Sequence, residues 1–169
     1  MTSAFNMGNL DDVEHTYDTK GYTYIRTRNP NRKALADVLT YLEQGKDTLI
    51  FSSGMGAITT TYFALLQPGD HMICNENIYG ETFDAITSLV KNYGVTTTFV
   101  PFDDLDAVKA AVQPNTKMLY TEVASNPTDR LCDVAAIAEI AHEAGALLMV
   151  DYQGSCASNP GFPRIPRSR

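Results

Sequence analysis

Between Thr48 and Asp151, short apolar runs rich in β-branched residues alternate with longer stretches of helical period. That alternation confines the chain to few architectures. A strand returned to its own sheet by way of a helix runs parallel to the strand before it. Repeated βαβ units therefore predict a mainly parallel sheet with helices on both faces, a three-layer α/β fold. The expected strands are Thr48–Ser52, His71–Cys74, Val95–Val100, Lys117–Glu122 and Ala146–Val150. The expected helices between them are Ala57–Leu66, Glu81–Tyr93, Asp104–Val112 and Asp133–Ala144. Turn chemistry supports these limits: Gln67-Pro68-Gly69-Asp70 and Pro114 stop helices, Asp133 is placed as an N-cap and Gly145 as a C-terminal stop. The continuous apolar run 146–150 predicts a strand covered on both faces.

Upstream, residues 1–29 are polar and irregular and predict an extended arm or loop. A helix is expected after Asn29-Pro30, with Leu35, Val38, Leu39 and Leu42 on one face and Gly45 ending it. Downstream, residues 152–169 hold three arginines, no acid, and Pro160, Pro163 and Pro166. This segment shows no helical or strand period and predicts disorder. The expected organisation is an arm at 1–29, a sheet domain at 30–151, and a basic, proline-containing tail at 152–169.

The net charge of -7 argues against nucleic acid or an anionic membrane as partner. No apolar run approaches a membrane span, and Met1-Thr2-Ser3-Ala4-Phe5 lacks the basic-then-apolar pattern of a secretory leader. Cys74, Cys132 and Cys156 show no paired spacing, which fits reduced thiols in a cytoplasm. His15, His71 and His142 are scattered, so no metal site is expected.

Ligands of open α/β sheets bind at the carboxyl ends of the strands. Ser52-Ser53-Gly54-Met55-Gly56, Glu122 and Asp151 all fall there. The small residues of 52–56 would let backbone N–H groups meet an anion at a helix start, although a tight strand-to-helix turn needs glycine equally. Asp151 ends an apolar run, where a carboxylate wants a partner. A pyridinium N–H would serve, and so would the next helix N-terminus. Tyr79 lies in a strand-to-helix loop, where its ring could stack on a flat ligand or simply pack the core. Tyr24 and Arg26, two apart on an extended segment, would point the same way and suit a phosphate, or form an exposed pair. Asn126-Pro127 reads as a turn, and Asn126 could also donate to a ring hydroxyl.

Taken in order, these segments resemble the Cys/Met-metabolism family of pyridoxal-phosphate (PLP) enzymes, which includes cystathionine γ-synthase, cystathionine lyases, methionine γ-lyase and homoserine sulfhydrylases. The resemblance runs from about Thr2 to Asp151. It is carried by Tyr24-Ile25-Arg26 ahead of Asn29-Pro30, Phe51-Ser52-Ser53-Gly54-Met55, Pro68-Gly69-Asp70-His71, Tyr79-Gly80, Pro114-Asn115-Thr116-Lys117, Glu122 to Asn126-Pro127, and Val150-Asp151. It implies part of the large domain of a fold-type I PLP-dependent transferase. Gly54 and Met55 would give N–H groups to the cofactor phosphate. Tyr24 and Arg26 would reach the phosphate of a neighbouring subunit. Tyr79 would stack on the pyridine ring and help move protons, Asn126 would lie near the ring hydroxyl, and Asp151 would pair with the ring nitrogen.

The resemblance also implies a homotetramer built from dimers with shared sites. It implies γ-replacement or β/γ-elimination on small sulfur amino acids of the cystathionine, homocysteine, methionine or O-acylhomoserine type. The sequence departs from the family after Asp151, where Tyr152-Gln153-Gly154 replaces the usual Asn-Thr-Phe. Ala124 stands where a proline is usual, and Glu81 where methionine γ-lyases tend to carry cysteine. The family's Ser-x-x-Lys segment, whose lysine holds the cofactor covalently, should come after Asp151 and does not occur there, and Lys117 occupies a different family position. The expectation is a partial enzyme, inactive alone. The alternatives are a non-catalytic binding or interaction module, or a pseudogene product that keeps a partial PLP pocket.

Overall fold

Right-handed crossovers dictate the layout of the sheet. In the computed structural model, which describes residues 3–125 and 130–153, the strands β1 (His71–Asn75), β2 (Thr96–Val100), β3 (Thr116–Glu122) and β4 (Leu147–Asp151) form one sheet in the order β2-β1-β3-β4. Every pairing in it is parallel. From β1 the chain moves one way to β2, then crosses to β3 and continues outward to β4. Because crossovers keep one hand, reversing direction sends the connecting helices to opposite faces.

One face carries α3 (Gly54–Leu65) and α4 (Gly80–Ala85), whose helix continues as a π-helical turn over Ile86–Val90. Ile58, Tyr62, Met72, Cys74, Ile86, Val90, Met118 and Tyr120 form the core there. The other face carries α5 (Leu105–Ala110) and α6 (Val134–Glu143). Its core includes Ile73, Phe102, Val108, Leu119, Ile137 and Ile140. Alternation along each strand sends Met118 and Tyr120 to the first core and Leu119 to the second.

The chain divides into two compact units, Met1–Ile50 and Phe51–Arg169. The sheet lies wholly in the second. The first contains α1 (Leu10–Asp18) and α2 (Pro30–Leu42).

Three expectations change. Residues 1–29 are not all irregular, because Asn9 and Asp12 form a reciprocal capping box that starts α1. Thr48–Ser52 forms no strand, since the segment meets no ladder partner among the described residues, and Leu49 is 78% exposed. The run 146–150 is covered on both faces only in part: Met149 packs against the first core and Ala146 and Leu148 against the second, but most of the strand is half-buried. β4 pairs only with β3 among the described residues, and its Leu147 is half exposed, as at a sheet edge. The remaining helices match to within a few residues. Ser53 caps α3, so that helix starts at Gly54, ahead of the expected Ala57. The tail beyond Gln153 lies outside the described residues.

Candidate functional site at the carboxyl ends of the strands

A cavity of about 360 Å³ opens where β3 and β4 end, with the start of α3 on one side and two carboxylates on the other. The helix side is set by Ser53. Its extended backbone (φ -153, ψ 154) makes it the N-cap, and its Oγ accepts the Gly56 N–H at 3.0 Å. The Gly54 and Met55 N–H groups find no partner among the described residues. Two unpaired N–H groups at the positive end of a helix dipole are a site for an anionic oxygen.

On the strand side, Glu122 and Asp151 are register partners in the β3–β4 pair and so present their side chains to the same face. Asp151 is fixed at both oxygens. Its Oδ1 accepts the Gln153 N–H at 2.8 Å, and its Oδ2 accepts the Tyr120 hydroxyl at 3.1 Å. A carboxylate offers about four lone-pair positions, so capacity remains for a ligand donor. Tyr120 is fully buried, and the edge of the Tyr62 ring meets it at 5.6 Å between centroids and 73° between planes. Burial, and after it the Asp151 charge, push the Tyr120 hydroxyl well above its ordinary value. It therefore stays a proton donor throughout the accessible pH range. The Tyr62 hydroxyl behind it is buried with no hydrogen-bond partner among the described residues.

Glu122, which is buried, accepts the Tyr79 backbone N–H at 2.6 Å and so ties the β1–α4 loop to the end of β3. Tyr79 is the N-cap residue of α4, and its 44% exposed side chain lines the cavity.

The structure thus brings Gly54, Met55, Tyr79 and Asp151 into one cavity. Tyr24 and Arg26 belong to the first unit. They do not lie on an extended segment: the chain turns after Tyr24, with the Thr27 N–H donating to the Tyr24 carbonyl at 3.1 Å. Their side chains nevertheless come together, the Arg26 guanidinium lying 5.1 Å from the Tyr24 ring centroid. Asn126 lies outside the described residues. Lys117 is exposed near the start of β3, roughly 16 Å along the strand from Glu122 at the cavity end.

Sequence reasoning gave no role to Tyr120 or Gln153. Tyr120 sits two residues before Glu122, so alternation alone would have placed it beneath the site. Gln153 follows the last strand, and its side-chain amide lies against Gly54. A Cβ at Gly54 would run into it, so glycine there is what lets the Gln153 side chain approach the helix start. Among the described residues, no three or more His, Cys, Asp or Glu side chains cluster to hold a metal ion, and no helix is long and apolar enough to cross a membrane.

The donor set fits PLP. Unpaired N–H groups suit the phosphate, a carboxylate held at both oxygens suits the ring nitrogen, and Tyr79 supplies an aromatic wall. Comparison with known proteins agrees. The family model for Cys/Met metabolism PLP-dependent enzymes matches residues 1–158. Cystathionine gamma-lyase of Bacillus subtilis (strain 168) is 41% identical over 131 residues, which cover 78% of this chain and 34% of that one. Among solved structures, cystathionine gamma-lyase from Lactobacillus plantarum complexed with L-serine superposes with a TM-score of 0.80 at 36% identity, covering 89% of this chain and 38% of that one. A Campylobacter jejuni protein solved with N'-pyridoxyl-lysine-5'-monophosphate gives 0.79 at 30% identity, covering 89% and 37%. These neighbours share the fold-type I arrangement, and the chain spans about a third of their length. Since the family match runs through both walls of the cavity, from the Gly54 helix start to Asp151, the chain belongs to the Cys/Met-metabolism family of PLP-dependent enzymes.

Proposed function

We propose that this chain supplies the cofactor-binding part of a PLP-dependent enzyme of sulfur amino-acid metabolism. The observation that carries the reading is the pairing, across one cavity, of a helix start whose Gly54 and Met55 N–H groups are unpaired with the Asp151 carboxylate. When bound, PLP supplies an electron sink for carbanionic chemistry at the substrate α-carbon. The chain's own residues bind and orient. Gly54 and Met55 hold the phosphate by N–H donation, Asp151 holds the ring nitrogen in its protonated form, and Tyr79 stacks on the ring and relays protons through its hydroxyl.

By resemblance, Asn126 stands by the ring hydroxyl, and Tyr24 with Arg26 reaches the phosphate of a neighbouring subunit. The whole assembly would be a cytoplasmic homotetramer built from two dimers with shared sites. Its substrates would be small amino acids bearing sulfur or an activated γ-oxygen, processed by γ-replacement or elimination. No lysine follows Lys117 in these 169 residues, so the chain by itself binds the cofactor non-covalently and does not turn over.

Equilibrium titration with pyridoxine 5′-phosphate, which lacks the aldehyde that reacts with surface lysines, tests the reading. Saturable one-to-one binding, lost in Asp151→Ala, is expected. Binding indifferent to Asp151 would overturn it.

One observation favours a second reading, a non-catalytic module that keeps the pocket. The Gln153 side chain, in the Tyr152-Gln153-Gly154 that stands where Asn-Thr-Phe is usual, packs against Gly54 at the proposed phosphate end. Gln153→Ala should then leave affinity unchanged or lowered. Under the first reading it should raise affinity.

A further inference from the structure

We propose that Tyr120 is a positioning residue for the ring-nitrogen partner: its buried hydroxyl aims the Asp151 carboxylate at the cofactor ring. The inference rests on the proposed pairing of Asp151 with that ring.

Four observations carry it. The Tyr120 hydroxyl lies 3.1 Å from Asp151 Oδ2, within hydrogen-bond reach. The donor itself has little freedom, since Tyr120 is 0% exposed and the fully buried Tyr62 ring meets it edge-on. Register places Tyr120 opposite Met149 and Glu122 opposite Asp151, so donor and acceptor come from adjacent strands of one rigid sheet. Among the described residues the other oxygen, Oδ1, accepts the Gln153 N–H, a bond that comes from the chain beyond the end of β4 and not from the sheet. Without the Tyr120 hydroxyl, the carboxylate would be held at one oxygen alone and would turn more readily about its terminal bond, and part of the electrostatic benefit of a fixed partner would be lost.

The test compares two ligands, pyridoxine 5′-phosphate and its benzenoid counterpart, in which carbon replaces the ring nitrogen. Both keep the phosphate and ring hydroxyl. The wild-type chain should prefer the nitrogen-bearing ring. Tyr120→Phe should weaken that ligand about fivefold, the weight of one hydrogen bond, and leave the benzenoid ligand unchanged. In an Asp151→Asn background, Tyr120→Phe should add no further loss of affinity, because the two residues act as a unit.

Equal weakening of both ligands, or of neither, would overturn the inference, the first by showing Tyr120 to be only packing. A wild-type chain that binds both rings equally would instead overturn the Asp151 pairing itself. Circular dichroism and the melting temperature of Tyr120→Phe confirm the fold, and Tyr120→Leu, lacking both ring and hydroxyl, should bind the nitrogen-bearing ring no better than Tyr120→Phe does.

Discussion

The Glu122 carboxylate accepts the backbone N–H of Tyr79 at 2.6 Å, so the end of β3 fixes the residue that begins α4. No side chain caps α4 at Tyr79 itself, which leaves Glu122 to hold the entry to that helix from another strand. Glu122→Ala would strip the acceptor from a partly buried N–H, at a cost of about 1–3 kcal/mol. Glu122→Gln keeps a carbonyl acceptor and should cost less than half as much. Urea denaturation of the three proteins ranks them. Equal midpoints for Glu122→Ala and wild type would show that the bond contributes nothing.

At the other wall of the cavity, Ser53 performs the corresponding service for α3. Its Oγ accepts the Gly56 N–H at 3.0 Å. Ser53→Ala should cost about 1 kcal/mol and Ser53→Asp should recover most of it, the usual behaviour of an N-cap. The comparison is again of denaturation midpoints at constant slope. A silent Ser53→Ala would mean that the helix start is held by other contacts.

Sequence pattern and structure part company where neighbours decide. The run Thr48–Ser52 has strand composition, but a strand exists only with a partner, and none of the described residues supplies one. The apolar run before Asp151 reads as doubly covered, and Met149 and Leu148 do pack against opposite cores, yet with β3 as its one ladder partner among the described residues the strand leaves Leu147 half exposed. In the opposite direction, α1 hides in a polar stretch because its evidence is a capping pair, Asn9 with Asp12, and not an apolar period.

The site divides along the same line. Gly54, Met55, Tyr79 and Asp151 are legible because they fall at strand ends in a recognisable order. The Tyr120 bond to Asp151, the Glu122 bond to Tyr79 and the lie of Gln153 against Gly54 join distant segments, and only tertiary packing creates them.

Gly54 separates stability from binding. A Cβ there meets the free end of a glutamine side chain, which can swing aside, and alanine suits a helix start better than glycine does. Gly54→Ala should therefore change stability by no more than about 0.5 kcal/mol, while the new methyl group, directed into the cavity, lowers the affinity for pyridoxine 5′-phosphate. A large loss of stability would show that Gln153 cannot move.

Far from the cavity, at the start of β1, His71 is fully buried among hydroxyls and an amide. Its Nδ1 lies 2.8 Å from Thr116 Oγ1, and its Nε2 lies 2.9 Å from Thr98 Oγ1 and 3.2 Å from Gln113 Nε2. Burial lowers its pKa below the ordinary histidine value of 6.5. The folded chain therefore binds fewer protons at this site than the unfolded chain, and stability rises with pH through that interval. The His71 contribution is complete above pH 6.5 and declines as the pH falls from there through the folded-state pKa. Denaturation midpoints between pH 5 and 8 should show this slope. In ¹⁵N NMR the His71 ring should remain neutral at a pH where an ordinary imidazole is half protonated, and a ring already charged there would refute the assignment.

The thiols supply a final check on packing. Cys74 is fully buried in the core beneath α3, and desolvation pushes its thiol well above the ordinary value, with the Glu122 charge adding to the effect. Burial raises Cys132 as well, more than its hydrogen bond with Thr121 lowers it. Thiolate, not thiol, reacts with alkylating reagents, so both residues should be slow in the native protein. Cys74, with no exposed surface, should be modified only at the rate of unfolding, whereas the partly exposed Cys132 should react measurably without it. Residue-resolved mass spectrometry after timed iodoacetamide treatment distinguishes the two. Equal native rates at Cys74 and Cys132 would mean that the core between α3 and the sheet opens far more readily than its packing implies.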